Sequence, residues 1–137
     1  MSTTASTSAG TLIRTYLDAA RGGDWDRAFG FFAEDMTFRI PGRSPFAGCH
    51  RGRDAAADYI HTARALAHDG DVEVELLDVL EGRDRVALLV SERFTRPEGV
   101  LEIRRANVYR VRDGEIVDIT IFEADQYEVD ALFAGFS

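Results

Sequence analysis

Apolar and polar positions repeat with two different periods along this chain, and the change falls about half-way. Near the N-terminus Leu12, Ile13, Tyr16, Leu17 and Ala20 recur at helical spacing, and the stripe ends at Gly22-Gly23. Asp24 offers an N-cap oxygen to a second helix, with Trp25, Ala28, Phe29 and Phe32 as its apolar positions. Residues 36–40 alternate as a short half-buried strand does. Pro41, Gly42, Pro45 and Gly48 then interrupt the pattern. After Gly52 a third helix carries Ala56, Tyr59, Ile60, Ala63 and Leu66 on one face and closes near Gly70.

From Val72 onward the period shortens to two. Four strand-like runs, 72–80, 85–96, 100–112 and 115–122, are separated by Gly82-Arg83-Asp84, Pro97-Glu98-Gly99 and Asp113-Gly114, all short hairpin signals. Asp125 followed by Glu128 makes a capping-box-like start for a short final helix. Successive strands joined by tight turns argue for an antiparallel meander and against a doubly wound parallel sheet. The predicted fold is therefore α+β: a curved antiparallel sheet wrapped around N-terminal helices, a cone whose interior can hold a ligand. Residues 1–10 (MSTTASTSAG) are expected to be a disordered tail and 11–137 a single domain. The run Val86–Val90 is apolar on both strand faces, so the outer sheet face is expected to be covered by a second copy in a homodimer.

Charge narrows the partners. Sixteen basic residues, all arginine, against twenty-four acidic ones give a net charge of −8, which disfavours nucleic acid and anionic membrane surfaces. Cys49 is the one cysteine, so no intrachain disulfide forms, and with no apolar run of membrane-spanning length a cytoplasmic location is expected. His50, His61 and His68 have no metal-ligand spacing and no glycine pattern cradles a phosphate, so neither metal nor cofactor is expected.

The stretches YLDAARGGDWDRAFGFFAEDMTF, PFAGCHRGRDA and VYRVRDGEIVDI resemble the nuclear transport factor 2-like superfamily, and within it the SnoaL-like proteins and ketosteroid isomerases. The resemblance spans residues 11–134 and implies the cone fold. It leaves activity open, because isomerases, cyclases, dehydratases, hydrolases and binding domains share that fold. The ketosteroid isomerase pattern implies that Tyr16 helps bind a developing enolate, and that Asn107 stands where the second enolate donor would be. The place of that family's general base holds Ile40, which takes no proton, so steroid isomerisation by the family mechanism is not expected.

A base has to come from elsewhere. If Ile119 and Ile121 face the cone, so does Glu123, and a carboxylate at the edge of an apolar cavity has its pKa raised toward general acid–base values. SnoaL-like cyclases are similar in placing an acid–base carboxylate late in the chain. Arg105 shares inward parity with Asn107 and needs an anionic partner: Glu92, Glu123 or an acidic ligand. The loop between the first strand and third helix reads as a pocket rim, with Phe38, Ile40 and Phe46 lining it. His50 sits at the mouth, Tyr59 on the helix beyond, and a solvated collar of Arg39, Arg43, Arg51 and Arg53 surrounds it.

The expected ligand is a small apolar or aromatic molecule, possibilities extending to a polyketide-like one. The leading expected activity is cofactor-independent proton transfer next to a carbonyl, giving isomerisation, cyclisation or dehydration, with Tyr16, Asn107 and Glu123 as catalytic residues. The alternatives are a non-catalytic ligand-binding or accessory protein and, more weakly supported, an epoxide hydrolase using Glu123, Arg105 and Asn107.

Overall fold

The computed structural model describes residues 8–65, 72–97 and 99–134. Helix α1 (Ala9–Arg21) begins where Ser8 accepts a hydrogen bond from the Thr11 amide. Helix α2 (Trp25–Phe29) is capped by Asp24 as its sequence demands, but ends at Gly30 rather than running on to Phe32. Phe32 instead opens strand β1 (Phe32–Ile40), four residues before the alternation became evident. Strand β2 (Gly48–Arg51) lies inside the stretch read as a loop, and helix α3 (Arg53–Ala65) follows. The predicted closure near Gly70, with Leu66 and His68, lies outside the described residues.

The meander is β3 (Val72–Glu81), β4 (Arg85–Arg96), β5 (Gly99–Arg112) and β6 (Glu115–Glu123), followed by helix α4 (Gln126–Phe133). The β5–β6 turn has positive φ at both Asp113 (53°) and Gly114 (76°), which suits the right-handed twist of the flanking strands. A single six-stranded sheet results, in the order β2-β1-β6-β5-β4-β3. Every pairing is antiparallel except β1 with β6, which is parallel. On the outer face of that junction Asp118 accepts from Thr37, from Arg39 Nε at 3.1 Å and from Thr120 at 2.9 Å.

The concave face holds the core. Ile13, Phe32, Met36, Val86 and Ile116 are inaccessible to solvent and pack the helices against the sheet. Each such side chain contributes about 1.5–3 kcal/mol by leaving water. A second cluster, Phe94, Ile103, Val129 and Leu132, seats α4 against β4 and β5. Asp130 of α4 also accepts hydrogen bonds from the Arg43 amide and Gln126 Nε2, both at 3.0 Å, tying the helix to the loop after β1. Gly42 has φ of 98° there, and a Cβ would run into the Gln126 and Asp130 side chains.

Candidate functional site

Strand register decides which side chains meet inside the cone. Val90 pairs with Arg105, and Arg105 pairs with Glu123, so these three stand in one row across β4, β5 and β6. Glu92 is two residues beyond Val90 and shares its parity, which makes it the diagonal neighbour of Arg105. The result is an acid–arginine–acid cluster. Arg105 donates from Nε to Glu123 Oε1 at 3.0 Å and from its NH2 nitrogen to Glu123 Oε2 at 2.5 Å, a fork-to-fork pair. Its NH1 nitrogen reaches Glu92 Oε1 at the looser distance of 3.5 Å. The side chains of Arg105, Glu123 and Glu92 are 7%, 1% and 14% exposed, so the cluster is buried and its charges are felt at low dielectric.

In front of this cluster lies a cavity of about 150 Å³. Its walls include Trp25, Phe38, Tyr59, Leu88 and Phe94, and its polar groups come from Tyr16, Glu92, Arg105, Asn107 and Tyr109. Glu92 is the carboxylate on that wall. Glu123 is not on it: the side chain faces inward as its parity requires but stands behind Arg105. Burial pushes the Glu123 carboxyl up from its ordinary value; Arg105 opposes this by charge and hydrogen bonding, and Glu92 and Asp130 add to it. Two charge-assisted bonds to the guanidinium keep it an ion-pair partner at neutral pH.

At the other polar wall the Asn107 amide hydrogen-bonds to the Tyr109 hydroxyl, and Tyr109 to the Tyr16 hydroxyl. The Asn107 contact lowers the Tyr109 pKa and the Tyr109 contact lowers that of Tyr16, each by less than burial raises it. Burial is the largest influence on both tyrosines and pushes their hydroxyls well above the usual value, so both stay protonated. Tyr59, whose hydroxyl meets Arg105, is pushed up to about 12, again chiefly by burial. Asn107 Oδ1 is buried and has no hydrogen-bond partner, a polar atom on the cavity wall with unused acceptor capacity.

The chain matches the model of the SnoaL-like domain over residues 13–119. It belongs to the SnoaL-like domain family. An uncharacterized protein of Mycobacterium tuberculosis is 32% identical over 124 residues, covering 90% of this chain and 94% of that protein. Among solved structures, Bal32a from a soil-derived mobile gene cassette superposes with a TM-score of 0.79 at 26% identity, covering 91% of this chain and 95% of that one. A Xanthomonas campestris protein of unknown function with a cystatin-like fold gives 0.83 at 23% identity, over 93% and 98% of the two chains. TerC, co-crystallized with polyporic acid, gives 0.74 at 15% identity over 89% and 95%. At such identity these last two likenesses concern the fold.

The SnoaL-like cone therefore gathers Tyr16, Asn107, Phe38, Tyr59 and Arg105 around one cavity. Ile40 is buried at the end of β1 and faces a separate depression shared with Cys49 and Gln126. Phe46 packs on Tyr59 with ring centroids 5.9 Å apart and touches both apolar clusters. His50 stacks on Tyr59 at 5.9 Å and donates from Nε2 to the Phe46 carbonyl at 2.5 Å, so it braces the wall from behind. The expected solvated collar needs correction at Arg53, which donates twice to the Phe32 carbonyl, at 3.0 and 2.7 Å, and pins α3 to the start of β1. Among the described residues no three His, Cys, Asp or Glu side chains are grouped to hold a metal ion, and no helix is long and apolar enough to cross a membrane.

Sequence reasoning saw Glu92 only as a partner for Arg105 and did not single out Tyr109. The signal for Glu92 was present: Val86, Leu88, Val90 and Phe94 share its parity, so a glutamate there interrupts an inward apolar row.

Proposed function

We propose that this SnoaL-like domain binds a small, largely apolar carbonyl compound and moves a proton on the carbon next to its carbonyl. The carrying observation is that the Glu92 carboxylate and the Tyr16 hydroxyl border one cavity. Glu92 takes the C–H proton onto a carboxylate oxygen, and the electron pair moves onto the carbonyl oxygen, which receives a hydrogen bond from Tyr16. Returning the proton to a different carbon completes an isomerisation; the same enolate can instead close a ring or expel a hydroxyl as water. Asn107 and Tyr109 act through Tyr16 and are positioning residues. Glu123 has a positioning role as well: by engaging two nitrogens of Arg105 it holds the guanidinium away from a close pairing with Glu92.

Size sets the substrate. A cavity of about 150 Å³ accommodates one six-membered ring, not a fused polycycle. That TerC of the same fold was co-crystallized with polyporic acid supports small-molecule binding by such a cone without specifying this ligand. Exchange of the α-protons of cyclohexanone in deuterated water, followed by proton NMR, tests the reading. Glu92→Gln is expected to slow exchange by about 10²–10⁴-fold, and Tyr16→Phe by about 10²–10³-fold. Exchange by Glu92→Gln at the wild-type rate would remove the base assignment, and binding without exchange in the wild type would leave a ligand-binding protein.

A second reading, addition of water to an epoxide, is favoured by one feature, the two carboxylates sharing Arg105. It ranks lower because one acid must activate water while another protonates the epoxide oxygen, and only Glu92 of the pair borders the cavity.

A second copy is proposed for the outer sheet face. Leu89, Ala106 and Phe122 stand in one row there, Phe122 57% exposed, between charges of both signs such as Arg93, Glu102 and Arg104. Sedimentation as a dimer that Phe122→Glu dissociates is the expected outcome; a monomeric wild type overturns it.

A further inference from the structure

The charges around the cavity do not balance, and the imbalance has an address. Arg105 gives two nitrogens to Glu123, at 3.0 and 2.5 Å, and only a 3.5 Å approach to Glu92. Two carboxylates and one guanidinium leave a formal surplus of one negative charge, and the loosely held partner carries it. Glu92 is also the carboxylate that borders the cavity, and apart from Arg105 the remaining walls are uncharged. A buried carboxylate that shares its one counter-ion with a second acid is incompletely compensated, so the empty site gains from any cation that settles beside it. Trp25, Phe38, Tyr59 and Phe94 line the same space, and aromatic faces attract ammonium groups. An anionic ligand meets the reverse: Arg105, the one cation on the wall, is already engaged by Glu123.

We propose that the cavity selects a single-ring molecule bearing a protonated amine over neutral rings of the same size, and excludes those bearing a carboxylate. This rests on the cavity being the ligand site and narrows its substrate class to amine-bearing carbonyl compounds. The ammonium occupies the Glu92 side, and the carbonyl faces the Tyr16 hydroxyl.

Calorimetric titration of the full chain with benzylamine, benzyl alcohol and benzoate at neutral pH tests it. Benzylamine is expected to bind about tenfold or more tighter than benzyl alcohol, and benzoate not to bind. Glu92→Gln removes the amine preference. Glu123→Gln also weakens it, because Arg105 is then released toward Glu92 and the surplus charge disappears. Equal affinity for amine and alcohol, or a preference that survives Glu92→Gln in a protein retaining wild-type circular dichroism, overturns the charge selectivity while leaving proton transfer untouched. Failure of all three probes to bind overturns the selectivity together with the cavity's role as a ligand site. Cyclohexanone exchange without amine preference separates the two.

Discussion

The two ends of the cone solve opposite problems with the same strands. Where Tyr16 of α1 and Phe29 of α2 meet the start of β1, the interior is filled: Phe32 packs at a tilt on Phe29 and Tyr16 with centroids 5.5 and 5.6 Å away, and Ile13, Met36 and Ile116 are shut off from water. Farther along the sheet the inward positions of β4, β5 and β6 carry Glu92, Arg105 and Glu123, and the space between Glu92, Arg105 and the side chains of Leu17, Trp25 and Tyr59 is hollow. Apolar side chains interdigitate and exclude space, whereas an ion cluster dictates its own distances and directions and leaves neighbours unable to close over it. A cavity and its chemistry thus have one origin, three charged residues at positions whose parity calls for apolar ones.

That contrast can be broken from either end. Arg105→Met should cost about 3–5 kcal/mol in urea unfolding, because two buried carboxylates lose their shared cation; a near-neutral result would mean that water already reaches both. Phe32→Ala at the packed end is expected to cost about 3–5 kcal/mol as well. Phe38→Ala, beside the existing cavity, should cost less by on the order of 1 kcal/mol, since fewer contacts surround the ring on that side. Equal penalties would mean that the hollow end is closed in solution.

The smallest effect concerns pH. Burial holds the Glu123 carboxyl above its ordinary value, so the folded chain retains a proton there at pH values where the unfolded chain has released it. This contribution to stability is full below the ordinary glutamate value and is lost as pH rises through the raised one. Unfolding measured from acid toward neutral pH should therefore show a downward component in the wild type that Glu123→Gln lacks. A slope unchanged by that substitution would contradict it.

Most of the architecture was legible because the meander obeys its period-two pattern and its turns carry Gly and Asp where positive φ is needed. The start of β1 was not, because Phe29 and Phe32 are three apart and satisfy a helix as well as Phe32 and Met36 satisfy a strand; Gly30 breaks the tie. Strand β2 has no apolar alternation at all. It exists through its pairing with β1, Phe38 opposite His50 and Ile40 opposite Gly48, a long-range fact that composition does not carry. At the site, parity put Arg105, Asn107 and Glu123 on one strand face and the family resemblance pointed to Tyr16, but parity cannot say which of two carboxylates on that face borders the cavity. That depends on a one-step diagonal offset between β4 and β5.

The parallel pairing of β1 with β6 joins segments some eighty positions apart, Thr37 opposite Asp118 and Arg39 opposite Thr120. During synthesis β3, β4 and β5 can zip up by neighbouring hairpins, but β1 has no sheet to join until β6 has left the ribosome. Until then the guanidinium of Arg105 has at most one of its acids. The chamber is thus among the last things the nascent chain completes, and truncations that remove β6 should yield a collapsed meander with no chamber at all.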